Sequence, residues 1–176
     1  RRNRVRILES ARAVFAQYGA DAQIDDVARE AGVGVGRVYR HFPNKEALLV
    51  ALMREKFRLF AARGREALDQ GGEPFALLVN LLRCNAETAA GDAAVQHALA
   101  GVGEHIWLQA AAEQNELLVV TEELLERARR AGTIRPDISA LDIGMLMCGV
   151  CSTMGEKPDF DWRRHLDLVI EMLRAR

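Results

Sequence analysis

Between Ile24 and Phe42 the sequence runs Ile-Asp-Asp-Val-Ala-Arg-Glu-Ala-Gly-Val-Gly-Val-Gly-Arg-Val-Tyr-Arg-His-Phe, a spacing that suits a helix-turn-helix. Two short helices crossing steeply over a tight turn need a small residue where their backbones approach, and Ala28 supplies it. Four residues later the turn needs a residue that tolerates positive φ, which Gly32 provides. Val27, Ala31, Val33 and Val38 then form a small apolar core that locks the pair. Gly34 can cap the second helix, more weakly than Ser or Thr would. Held in this way, the second helix is a rigid rod whose outer face can enter the major groove of DNA. An Ala four residues before a Gly is common by chance, but the whole apolar pattern inside a basic segment is not.

The elements that must position this pair all carry helical period, and no run alternates like a strand. Ile7, Ala11, Val14, Phe15 and Tyr18 make one stripe, ended by Gly19. Short helices are expected at about 24–31 and 35–41, and Asn44 is a candidate N-cap for a helix reaching about Leu68. Pro74 opens the next helix, to about Gly91, and Asp92 caps a short one to about Ala100, before Gly101 and Gly103 interrupt. One long helix is expected over 105–131, stopped by Gly132. Ser139 with Asp142 resembles a capping box for a helix over 140–153. Residues 155–159 read as a turn, and Asp161 precedes a last amphipathic helix over 161–174. The expectation is nine helices and an all-α fold. Residues 1–45 would be a three-helix DNA-binding domain, and 46–176 a bundle of about six helices.

Length and composition remove other classes. A chain of 176 residues with 49% hydrophobic content and net charge −1 can bury a core and is not disordered. No apolar run reaches the roughly 18 residues that a membrane span needs. Cys84, Cys148 and Cys151 form no disulfide framework, and no secretory segment opens the chain, so a cytoplasmic protein is expected. The first residue is Arg, which predicts that a native N-terminal tail is missing. The near-zero net charge conceals an asymmetry: residues 1–63 carry +6 and residues 64–176 carry −7. Halves of opposite sign suit one part that meets a polyanion and another that avoids it.

In these residues the chain resembles the TetR/AcrR family of bacterial transcriptional regulators. The resemblance runs from about Val5 to Leu49. It is most specific at Ala28-Arg29-Glu30-Ala31-Gly32-Val33, at Gly36 to Phe42 and at Pro43-Asn44-Lys45-Glu46-Ala47-Leu48-Leu49. Ala131-Gly132-Thr133-Ile134-Arg135-Pro136-Asp137 and Trp162-Arg163-Arg164-His165-Leu166 are similar, more weakly, to the C-terminal domain of SbtR-like regulators. The resemblance implies an all-helical homodimer with an N-terminal DNA-binding domain and a ligand-binding, dimerising C-terminal domain.

Carried onto this sequence, the resemblance gives Tyr39 and His41 to DNA phosphates, and Lys45, at the start of the fourth helix, to a backbone contact. Gly34 would cap the recognition helix, and Val35, Gly36, Arg37 and Arg40 would lie on or beside its exposed face. Arg37 is the candidate base reader, because a guanidinium can bond O6 and N7 of guanine together. Two departures stand out. Ala22-Gln23 occupy the place where the family often has Ser or Thr, and Arg37 stands where a small polar residue is common. Arg1, Arg2, Arg4 and Arg6 could reach the backbone or minor groove, or simply be a solvated tail.

Beyond Glu73 a sensor pocket should be mostly apolar with a few inward polar groups, and Leu78, Leu82, Asn85, Trp107, Gln114 and Met145 are its candidates. The ligand would be small and apolar or amphipathic. The helices over 140–153 and 161–174 are rich in Met, Leu and Ile and could pair with a second copy. A dimer would read a palindromic operator with half-sites one turn (~34–36 Å) apart. Nothing calls for a cofactor: His97 and His105 share no metal-ligand spacing with the cysteines, and there is no Gly-rich phosphate loop or nucleophile elbow. The alternative is a small-molecule-binding or enzymatic helical protein whose helix-turn-helix is structural.

Overall fold

A computed structural model describes residues 2–100, 105–154 and 159–175. The described residues form ten α-helices, one 3₁₀ turn and a single bridge between Ile134 and Arg174. The helices are α1 (Arg2–Tyr18), α2 (Ile24–Glu30), α3 (Val35–His41), α4 (Lys45–Gln70), α5 (Pro74–Gly91), α6 (Ala93–Ala100), α7 (His105–Gln109), α8 (Ala111–Arg130), α9 (Ala140–Ser152) and α10 (Trp162–Leu173). The fold is all-α, with an N-terminal helix-turn-helix followed by a helical C-terminal part. The expected interruption at Gly101 and Gly103, and the turn over 155–158, lie outside the described residues.

The backbone divides into two compact units: Arg1–Glu55 with Asp92–Ala111, and Lys56–Gly91 with Ala112–Arg176. In the first, α1 supplies the core stripe: Ile7, Leu8 and Ala11 are fully buried and Phe15 nearly so. α2 packs on both α1 and α3, and α6 on α1 and the 3₁₀ turn at Gly19–Asp21. Polar ties fix α1 further. Arg4 Nη1 lies 3.4 Å from Glu55 Oε1, and Arg12 reaches Glu55 Oε2 at 3.6 Å and Asp92 Oδ2 at 3.5 Å. In the second unit α9 packs on α5 and α10, around Leu78, Leu124, Leu125, Val150 and Leu173, all fully buried.

The long helix expected over 105–131 is instead two. Ala110, fully buried, sends its N–H to the Trp107 carbonyl at 3.1 Å, and the chain restarts as α8. The break falls inside Gln109-Ala110-Ala111-Ala112, a run of strong helix formers, so packing and not propensity places it. The Gly132 stop and the Ser139–Asp142 capping box are as expected: Gly132 has φ +68°, and the Asp142 N–H bonds Ser139 Oγ at 3.2 Å.

Candidate nucleic-acid interface

The α2–α3 turn is built by its backbone. Gly32 takes φ +60°. Its N–H bonds the Arg29 carbonyl at 3.1 Å, and the Val33 N–H bonds the Ala28 carbonyl at 3.0 Å. This double closure is a Schellman stop, satisfying two carbonyls that the helix end would leave open. Ala28, Val27 and Ala31 are 4% exposed or less, and Val38 is fully buried, while Val33 is only half-buried. Gly34 is the N-cap of α3, extended at φ −65° and ψ 140°, and its carbonyl accepts from the Arg37 N–H at 2.8 Å.

With Val38 and Phe42 turned inward, α3 presents Val35, Gly36, Arg37, Tyr39, Arg40 and His41 outward, all exposed. Among the described residues, nothing beyond the adjoining residues and the helix's own backbone lies within 4 Å of where a Cβ would stand on Gly34 or Gly36. The outer face is therefore bare backbone flanked by side chains, among them two guanidiniums. Arg40 and His41 sit in the last turn, where positive charge suits the helix dipole. Phe42 holds this end of α3 down: it is 2% exposed, with the Arg4 guanidinium 5.4 Å from its ring centroid.

Beside α3 lies an open cleft of about 630 Å³ lined by Gln23, Ile24, Asp25, Asp26, Tyr39, Pro43, Asn44 and Lys45. The starts of α2 and α4 both contribute to it. Asn44 caps α4, accepting the Ala47 N–H at 2.7 Å. The Lys45 ammonium donates to the Ala20 carbonyl and stands 5.6 Å from the Phe15 ring centroid; among the described residues this leaves two of its three donors for a further acceptor. Where Ser or Thr was missing from α2, Asp26 does the capping: its Oδ2 accepts the Gln23 N–H at 3.3 Å, and its Oδ1 accepts from Arg29 at 2.9 Å.

The eight residues expected at the DNA side thus fall along α3 and the start of α4. The six expected in a pocket are dispersed. Leu78, Leu82 and Asn85 are buried on α5, and Gln114 is half-buried on α8. Met145 is 58% exposed on α9, and Trp107 is 39% exposed on α7, in the other compact unit. Sequence reasoning missed the polar ties that two arginines of α4 make. Arg63 Nη1 donates to Asn85 Oδ1 at 3.3 Å, to Thr88 Oγ1 at 2.9 Å and to the Cys84 carbonyl at 3.2 Å. Glu113, 5% exposed, accepts from Arg58 at 2.5 Å. A charge on an amphipathic helix reads as solvated unless its partner helix is known, so no sequence signal marked them. Burial pushes the Cys151 thiol up, against the opposing charge of Lys56.

Known proteins share this architecture. A family model described as bacterial regulatory proteins, tetR family, matches residues 7–52. A second, the C-terminal domain of SbtR-like transcriptional regulators, matches residues 73–175, more than half of the chain. The chain belongs to the TetR family. A crystal structure of a TetR transcription regulatory protein from Mycobacterium vanbaalenii is 34% identical, with 99% of this chain and 96% of that chain covered at a TM-score of 0.70. The HTH-type transcriptional repressor KstR of Mycolicibacterium smegmatis is 38% identical over 76 residues, 43% of this chain and 37% of that protein. The A-factor receptor protein of Streptomyces griseus is 31% identical over 143 residues, 77% of this chain and 47% of that protein. This TetR-family chain therefore spans under half the length of these two curated relatives. No described helix is long and apolar enough to cross a membrane.

Proposed function

We propose that this chain is a sequence-specific DNA-binding transcriptional regulator, a cytoplasmic repressor released from a palindromic operator by a small-molecule ligand. The observation that carries the reading is the outer face of α3: exposed, basic and bare at Gly36, on a helix pinned by Val38, Phe42 and the Gly32 turn. Residues 1–45 meet the duplex, and 46–176 sense ligand and dimerise. Arg37 reads a base, while Tyr39, His41 and Lys45 take phosphates around the cleft, with Arg40 beside them. The protein acts by binding and not by catalysis, in keeping with relatives named as regulators.

Two copies pair through α9 and α10. Leu141, Met145 and Cys148 on α9, and Leu168 and Met172 on α10, are exposed at helical spacing and form an apolar stripe that suits a second helix pair. Met145 accordingly serves this face and not a pocket. The ligand, small and apolar or amphipathic, is taken near Leu78, Leu82 and Asn85. It favours a dimer whose recognition helices are misplaced for successive major grooves, with α4 as the lever and a coupling of ~1–3 kcal/mol.

Affinity titration at two salt concentrations tests the assignments. Arg37→Ala should flatten preference at one operator position, and uniform weakening across all sequences would make it a phosphate contact instead. Lys45→Ala should reduce the salt slope by about one, and an unchanged slope would remove Lys45 from the interface.

A further inference from the structure

Of the side chains that α3 turns outward, Val35 alone has no hydrogen-bonding group. It is 41% exposed, and it stands between Gly34 and Gly36, beside each of which the space is open. With no side chain on either adjoining residue, the uncovered part of its isopropyl group faces outward. Because Val is branched at Cβ, its χ1 is nearly fixed in a helix, so the methyls have a set direction. Helix propensity does not account for the residue, since Val is a weaker helix former than Ala. Core packing accounts for only part of it. On the same helix Arg37 and Arg40 supply the positive charge that holds a polyanion against this face.

The major-groove edges of DNA present donors, acceptors and one apolar group, the thymine 5-methyl. Resting on the regulator reading above, we infer that Val35 reads the 5-methyl group of a thymine in each half-site. The operator then carries a thymine at a fixed position that no hydrogen bond from α3 specifies. Gly36 assists by letting the helix backbone come close enough for methyl to meet methyl.

The test uses a duplex selected from random sequence, with each thymine of the half-site replaced singly by deoxyuridine, which pairs alike and lacks only the methyl. Wild type should lose about fourfold in affinity at one thymine, the factor that goes with one buried methyl. Val35→Ala should bind the thymine and uracil duplexes equally at that position while keeping its preferences elsewhere. Val35→Thr, of the same shape with one methyl kept, should retain part of the discrimination. The inference is overturned if no single replacement weakens wild type, or if Val35→Ala still discriminates fully. If no sequence is selected at all, the regulator reading fails with it. A selected site indifferent to the methyl removes only the role of Val35.

Discussion

Two stretches of this chain are nearly the same six residues: Ala28-Arg29-Glu30-Ala31-Gly32-Val33 and Ala128-Arg129-Arg130-Ala131-Gly132-Thr133. Each ends a helix in the same way. The glycines take φ +60° and +68°. Both following N–H groups bond the first alanine's carbonyl at 3.0 Å, and the glycine N–H groups bond the arginine carbonyls at 3.1 and 2.9 Å. What comes next differs. After Val33 the chain turns through Gly34 into α3 and leaves its outer face bare. After Thr133 it runs into Ile134, 2% exposed and bridged to Arg174, with the Arg135 N–H on the Leu173 carbonyl at 3.0 Å. The arginines differ too. Among the described residues Arg29 pairs with Asp26 alone, its side chain 75% exposed. Arg129, 21% exposed, holds Glu122 at 2.6 Å, Glu126 at 2.9 Å and the Ile138 carbonyl at 2.6 Å. One local signature fixes a helix stop. Whether the stop serves recognition or packing is decided by the residues that follow.

The largest expected effects probe what the stretches share. Gly32→Ala and Gly132→Ala should each destabilise by about 1–3 kcal/mol, because both force a side chain into the left-handed region. Equal shifts in denaturant midpoint would support a shared device, and a tolerated substitution at either site would break the comparison. Next come the arginines. Arg129→Ala should cost about 1–2 kcal/mol through its charge-assisted hydrogen bonds, and Arg29→Ala under about 0.5 kcal/mol as an exposed pair. Thermal unfolding of the two variants separates them.

Gly36→Ala should move stability and function in opposite directions. With open space at the Cβ position, it should raise stability by up to about 1 kcal/mol while weakening duplex binding. Weakened binding with unchanged stability would still place Gly36 against DNA, whereas unchanged binding would take it off the interface. The smallest effect concerns the helix that follows the second stretch. The Ser139 hydroxyl, and then its N–H, hold the Asp142 carboxyl below the usual carboxylate range. A folded-state value below the unfolded one means stability present at neutral pH and lost as acid protonates Asp142. Ser139→Ala should shrink that acid-side loss in pH-dependent melting, and an unchanged profile would discount the cap.

Much of this was legible in sequence because it is local. Gly32, Gly132, Asn44 and the Ser139–Asp142 box act within four residues of themselves, so spacing alone announces them. The outward face of α3 follows from the same spacing. What could not be read depends on distant partners. The break at Ala110 lies among alanines, where no local residue type announces a stop. The gathering of α6 and α7 with α1 into one unit joins residues some 80 positions apart, as in Arg12 with Asp92. Met145 and Leu78 look alike in an apolar stripe, yet one is 58% exposed and the other fully buried. Arg63 is indistinguishable from a solvated arginine until Asn85 and Thr88 stand against it.

The central claim is that the first of the two stretches positions a helix that reads DNA in a dimer. Selection of bound sequences from random duplex DNA tests it most directly. The account predicts a palindrome whose half-sites lie about one helical turn (~34–36 Å) apart. Binding without enrichment of any sequence would contradict it, and the first stretch would then be, like the second, a device for packing alone.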